Sequence, residues 1–358
     1  MKYQGSPAFS HQQSDRIGVL ICNLGTPEAP TPGALRRYLR EFLSDPRVVE
    51  APRLLWWFVL NGIILRVRPR RSAAAYAKVF TPEGSPLMLH TRAQASALQE
   101  NLAGKGREDI LVDYAMRYGQ PAMSVVMQSM FDRGVRKLLV LPMYPQYSGS
   151  TAGSVFDALA QDFVGRRLLP DLRFIAHYHD YPPYIEAAAA RIREHWDSHG
   201  RADKLLFSYH GVPKRYLDNG DPYHCECHKT SRLIAEALGL SPEAYLTTFQ
   251  SRFGREEWLQ PYTDKTLEAF PGQGVKSVQV FCPGFSADCL ETLEEIGEEN
   301  REFFLHAGGE RYEYISALNA RPDHIEALSA LVLEQLQGWQ VGPDAARSQR
   351  ARDLGAGK

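Results

Sequence analysis

Two groups of residues in this chain could do acid–base chemistry. His210 ends the apolar run KLLFSYH and is followed by the turn-forming GVP. Histidine is the residue type whose neutral ring takes up a proton near neutral pH, and the end of an apolar strand would hold it rigidly. Far along the chain, Asp288, Glu291, Glu295 and Glu299 stand at helical spacing. Glutamates four residues apart advance only about 40° around an α-helix, so Glu291, Glu295 and Glu299 form one stripe. Such a stripe could neutralise and guide a metal cation, or carry protons to solvent. Each feature also has a plainer reading. His210 could be a hydrogen-bonded turn residue, the stripe a solvated helix face, and Asp288 with Glu291 a capping box at a helix start.

HCECH, residues 224–228, is the competing metal-like signal. Its CxC spacing lacks the two-residue gap of a structural zinc pair, and no second cysteine pair stands elsewhere. A reduced, metal-free helix start is therefore expected. Cys22, Cys225, Cys227, Cys282 and Cys289 are too few and too unevenly placed for a disulfide scaffold. Neither a P-loop nor a GxGxxG fingerprint occurs, so neither ATP nor a nicotinamide is expected.

Lys and Arg total 41 against 42 Asp and Glu, which removes the basic excess expected of a nucleic-acid binder. The first residues lack the apolar stretch of a signal peptide, and no later run approaches the roughly 20 apolar residues that cross a bilayer. A cytoplasmic location is expected, with attachment to the inner face of the cell membrane left open.

The elements that must position these residues follow from apolar runs alternating with helical patterns. IGVLICN (17–23), DILVDYAM (109–116), VRKLLVLPM (135–143) and DLRFIAHY (171–178) read as strands. The same grammar begins again with KLLFSYH (204–210), YLTTFQS (245–251), VKSVQVF (275–281) and YEYISAL (312–318). Helices are expected at 227–238, 263–270 and 288–305, and Thr31 with Pro32 reads as a helix start. VRKLLVLPMYPQYSGSTAGSV and VKSVQVFCPGFSADCLETLEE repeat one pattern of basic residue, strand, proline, aromatic loop and helix.

The reading is α/β, with two similar Rossmann-like domains, 16–178 and 179–320, each a parallel four-stranded sheet flanked by helices. Residues 321–341 are expected as a helix packing on the body and 342–358 as a flexible tail. In such sheets ligands sit beyond the carboxyl ends of the strands, which places the site in a cleft between the domains. Residues 54–65, LLWWFVLNGIIL, are too short to span a membrane and too apolar for a wet loop, and RVRPRR follows at once. An amphipathic lip at 54–70, accepting a flat apolar ligand or touching a membrane surface, would use both features; a buried helix in the first core is the alternative.

Over residues 16–320 the chain resembles the ferrochelatases. The runs that carry the resemblance are LFSYHGVPKRYLDNGDPYHCECHKT, TTFQSRFGREEWLQPYTDKTLE and VFCPGFSADCLETLEEIGEE, supported by YPQYSGSTAGS and NLGTP. Their order and spacing make the match specific where any one piece would be weak. The resemblance implies the chelatase fold around a porphyrin cleft. It also implies an enzyme, a lyase of heme and porphyrin biosynthesis, that inserts ferrous iron into protoporphyrin IX with release of two protons to give protoheme. A coproporphyrin III ferrochelatase, a cobalt chelatase or a non-catalytic heme-binding protein are the alternatives.

Carried over residue by residue, the resemblance makes His210 and Glu291 catalytic and continues the metal-handling acids to Glu295 and Glu299. It sets Leu24, Arg68, Arg117, Tyr118, Tyr144 and Trp258 around the macrocycle or its propionates. Aromatic side chains offer area to the ring, and arginines pair with carboxylates more geometrically than lysines do. Some family members carry a 2Fe-2S cluster. Here no cysteine follows Cys289 and Gly149 occupies a position that can be a ligand, so no cluster is expected and no cofactor beyond the substrate Fe(II). Porphyrin and ferrous iron are the expected partners, with peripheral membrane contact through 54–65 and a monomer or weak homodimer as the assembly.

Overall fold

The computed structural model describes residues 3–5, 15–254, 256–339 and 345–356. Among the described residues, eight strands fall into two four-stranded parallel sheets. β1 (Arg16–Thr26), β2 (Ile110–Gly119), β3 (Val135–Pro142) and β4 (Asp171–Phe174) are ordered β2-β1-β3-β4. β5 (Lys204–His210), β6 (Tyr245–Gln250), β7 (Ser277–Phe281) and β8 (Arg311–Ile315) repeat that order as β6-β5-β7-β8. Helices cover the sheet faces, which is why the central strands are continuous apolar runs rather than alternating ones. The fold class expected from the sequence is the one observed.

β1 leaves its sheet through Asn23, Leu24, Gly25 and Thr26. Gly25 has φ +108°, and a Cβ there would stand 1.8 Å from the Tyr118 carbonyl oxygen, so the close approach of β1 and β2 requires glycine. The helix Pro32–Ser44 starts as the sequence indicates, with Thr31 Oγ1 accepting from the Ala34 amide at 3.4 Å and proline in the first turn. β4 is shorter than its apolar run: it pairs with β3 only from Lys137↔Asp171 to Val140↔Phe174.

The two sheets share one apolar core. A single cluster of buried side chains runs from Ile17 and Leu139 of the first sheet through Tyr184 and Ile192 to Phe207 of the second and Leu328. Helix Pro322–Gln335 packs on helices Pro86–Gly104 and Pro182–His199, joining both halves. Gln94, fully buried on helix Pro86–Gly104, donates from Nε2 to the carbonyls of Ser286 at 2.8 Å and Asn319 at 3.2 Å in the second half. Within the tail expected at 342–358, Ala345–Asp353 is helical, while 342–344 and 357–358 lie outside the described residues.

The segment Arg53–Val79 is nearly all helix, α-helical to Val59, a π-helical stretch over Leu60–Ile64, then α-helical from Leu65. Leu60 and Leu65 are buried, but Leu54, Leu55, Trp57, Phe58, Ile63 and Val67 are 58–75% exposed. The apolar side therefore faces outward, which sets aside the buried-helix alternative. Among the described residues no helix is long and apolar enough to cross a membrane.

Candidate active site

His210 is the last residue of β5. Its Nδ1 lies 2.7 Å from the Gly211 carbonyl oxygen, and Tyr223 Oη donates to the His210 carbonyl at 3.0 Å. Behind the ring the chain is tightly packed. The Gly211 amide donates to the Gln250 carbonyl at 2.7 Å, and a Cβ on Gly211 would meet that oxygen at 2.8 Å and Trp258 Cε3 at 3.2 Å. Trp258 is thus set against the turn that follows His210. It is 5% exposed and its Nε1 has no hydrogen-bond partner.

Gln250 joins the histidine strand to the acidic helix. It pairs with His210 in the β5–β6 register, is held by Ser208 Oγ donating to its Oε1 at 2.7 Å, and donates from Nε2 to the Glu291 carbonyl at 3.1 Å. The next residue, Ser251, has φ +66°, a strained conformation for a non-glycine residue, and donates from Oγ to Glu295 Oε2 at 2.5 Å. The ends of β5 and β6 and the start of the acidic helix are therefore one connected piece.

That helix is not the α-helix expected from the acid spacing. Glu291–Glu299 is π-helical for nine residues, the Asn300 amide bonding back to the Glu295 carbonyl five residues earlier. Such stretches are usually single turns and often sit at functional sites. Glu291 and Glu295 are half-buried and Glu299 exposed, so the carboxylates lead outward. Burial, reinforced by the neighbouring Glu291 and Glu299 charges, pushes the Glu295 carboxyl up to about 7 against the pull of the Ser251 hydrogen bond. Burial also raises Glu299, helped by Glu294.

Asp288 does not make the capping box. Its Oδ1 instead accepts from Thr292 Oγ1 at 3.1 Å, Tyr314 Oη at 2.6 Å and the Ala317 amide at 3.2 Å, and its Oδ2 from Asn319 Nδ2 at 2.7 Å. It is a structural anchor for the helix start.

Glu291 faces Leu24 across a crevice of about 290 Å³ between the two halves, lined also by Gly25, Thr26, Tyr76, Pro86, Cys289 and Leu290. Sequence reasoning missed Tyr76; it stands eight residues beyond Arg68, on the same helical segment as the lip. From that segment Arg68 reaches over the Phe253 ring, 5.8 Å from its centroid, and Phe253 lies 4.8 Å from the Trp258 ring. The lip of the first half thus touches the loop of the second half that carries Trp258.

Arg117 and Tyr118 stand apart from that crevice. Arg117 Nη2 and Tyr118 Oη both donate to Asp45 Oδ2, at 2.5 and 2.8 Å, and Ser154 Oγ joins them at 2.6 Å. Asp45 titrates below the usual carboxylate range, although burial raises it, because Ser154, the Arg47 amide, Tyr118 and Arg117 all favour its charged form. Tyr144 is half-buried against the apolar cluster that includes Cys22 and Val155.

HCECH opens helix Tyr223–Ala237, with the rings of His224 and His228 4.5 Å apart between centroids. Cys227 is fully buried in the core, Cys225 is exposed, and the rings of His224 and His228 lie 5.7 and 6.1 Å from that of Phe249. All five cysteines are free thiols.

Comparison with known proteins shows the family of the chain. A family model described as Ferrochelatase matches residues 16–336. A protein named Ferrochelatase from Idiomarina loihiensis is 69% identical over 99% of this chain and 97% of its own length. One of the same name from Pseudoalteromonas atlantica is 63% identical over 99% and 98%. Among solved structures, SirB from Bacillus subtilis with Fe3+ matches with a TM-score of 0.48 at 10% identity, covering 90% of this chain and 96% of that one.

Proposed function

The chain belongs to the ferrochelatase family, and on that premise we propose that it inserts Fe(II) into protoporphyrin IX, releasing two protons and forming protoheme at the end of heme biosynthesis. The observation that carries the reading is the Gln250 bridge, which fixes the strand ending in His210 to the helix beginning at Glu291. A free-base porphyrin must lose two pyrrolic protons as the metal enters. The neutral His210 ring takes one, and the Glu291 carboxylate receives the other. Glu295, with its carboxyl near 7, can hold or pass a proton at neutral pH, and Glu299 delivers it to solvent.

Leu24 packs on the opposite macrocycle face, and Trp258 and Tyr144 flank its edges. Arg68 supplies a cation for one propionate. Arg117 and Tyr118, paired with Asp45, support the first half's side of the cleft. The exposed apolar side of Arg53–Val79 serves as the lip and as a point of contact with the inner face of the cell membrane. Its apolar character suits protoporphyrin, with two propionates, better than coproporphyrin, with four. No resident cofactor, iron–sulfur cluster or nucleotide takes part.

An anaerobic assay offering Fe(II) separately with protoporphyrin IX and coproporphyrin III, followed by macrocycle absorption, tests the proposal. Faster turnover of protoporphyrin is expected. Faster turnover of coproporphyrin would move the substrate, exclusive use of Co(II) would move the metal, and tight binding without product would make the chain a binder.

A further inference from the structure

We propose that His177, His179 and Glu226 form a second divalent-metal site, suited to zinc or ferrous iron, outside the porphyrin crevice. One ring nitrogen from each histidine and one oxygen of Glu226 all lie within 4.8 Å of one another. None of the three lines the crevice around Glu291, and the inference is independent of the reaction assigned there.

The geometry follows from three segments. After β4 the chain has no regular secondary structure over 175–178 and turns at 179, with Tyr178, between the two histidines, buried in the core. The two imidazoles are brought to 5.3 Å between ring centroids. Glu226 enters from the first turn of helix Tyr223–Ala237. Its Oε1 lies 2.6 Å from His177 Nδ1, and its Oε2 accepts the Tyr147 amide at 2.7 Å.

A second observation points to a missing ligand. The His179 side chain is 8% exposed, as is that of Glu226, and His179 Nδ1 lies 3.3 Å from Glu226 Oε2 without making a hydrogen bond. A buried ring nitrogen left unpaired costs stability unless something fills its place. A cation between the two imidazoles and the carboxylate would do so.

Two nitrogens and one oxygen are a borderline-soft donor set. That favours zinc or ferrous iron over magnesium and calcium, which take oxygen. The His177 side chain is 51% exposed, so a fourth position stays open to water. Asp180, paired with Lys229 at 2.5 Å, stands 3.9 Å from His179 Nε2, where it can orient the ring. Because the Tyr147 amide is bound to Glu226, occupancy would also fix the loop that carries Tyr144 and Tyr147.

The test uses the full chain with His210→Ala and Glu291→Gln, which removes the two groups assigned to the reaction, titrated anaerobically with Co(II). One equivalent should bind with the visible absorption of a four-coordinate ion and no thiolate charge-transfer band, and zinc should displace it. Adding His179→Ala should weaken binding about 100-fold or more. His177 is exposed, so His177→Ala decides the matter if the His179 variant fails to fold; it too should weaken binding. Absence of binding in the parent, binding unchanged by the histidine substitutions, or loss of binding on Cys225→Ser would overturn the proposal.

Discussion

The unit that follows β3 and the unit that follows β7 are built alike and used differently. Each leaves a strand through a proline-containing loop and enters its helix by a π-helical stretch, Gly149–Gly153 in the first half and Glu291–Glu299 in the second. In the first, the polar groups are consumed in holding the molecule together. Ser148 Oγ and the Gly149 amide donate to Asp221 Oδ2 at 3.0 and 2.7 Å, and Ser154 Oγ donates to Asp45 at 2.6 Å. In the second, the carboxylates of Glu291, Glu295 and Glu299 line up outward and the Ser251 hydroxyl anchors one of them. One scaffold makes a joint or a reactive surface according to whether its polar groups are partnered.

The largest effect should come from breaking the reactive half. His210→Ala is expected to lower metal insertion about 1000-fold, within the range for loss of a general base, with an unchanged thermal transition; near-normal turnover of the purified variant would erase the distinction between the halves. Glu291→Gln keeps the size of the side chain but removes its charge. It should lower kcat about 100-fold with little change in KM, and an effect confined to KM would reassign Glu291 to binding.

The joint should answer in stability instead. Asp45→Asn leaves Arg117 without its carboxylate and should cost about 2 kcal/mol in urea unfolding; a variant as stable as the parent would show that the network adds nothing.

The smallest effect sharpens the comparison through pH. The Glu295 carboxyl sits near 7 in the folded chain against an ordinary value of 4.5, so the folded state binds more protons than the unfolded state between those values. Its contribution is fully present below about 4.5 and is lost as pH rises through about 7. Glu295→Gln should flatten the fall in melting temperature across that window, and an identical slope in both proteins would place the titration elsewhere.

The sheets were legible because strands covered on both sides are unbroken apolar runs, and all eight appear near their expected positions. The ends were less so. DLRFIAHY is paired in register only to Phe174, opposite Val140, although β3 itself runs on to Pro142, and nothing in the run encodes that end. The acidic helix was found, but spacing by four leaves α and π geometry indistinguishable, since both keep Glu291, Glu295 and Glu299 near one face. HCECH pointed to the helix, but reading its cysteines and histidines passed over Glu226 at its centre. Helix Tyr223–Ala237 turns Cys227 into the core and presents Glu226 to His177 and His179, partners 49 and 47 residues away that no local spacing connects. The Asp45–Arg117 pair, 72 residues apart, was invisible for the same reason.

The common core also has a mechanical corollary. Halves joined by continuous apolar packing, and latched by Gln94, cannot swing open like a clamshell without exposing that packing to water. The narrow crevice between Leu24 and Glu291 must nevertheless widen to admit a flat tetrapyrrole. The segment Arg53–Val79 lines that crevice through Tyr76 and meets the far side through Arg68 over Phe253 and Lys78 to Glu294 at 2.8 Å and Glu298 at 3.3 Å. Substitutions at those contacts therefore act on the rim of the crevice while the buried packing beneath is left as it is.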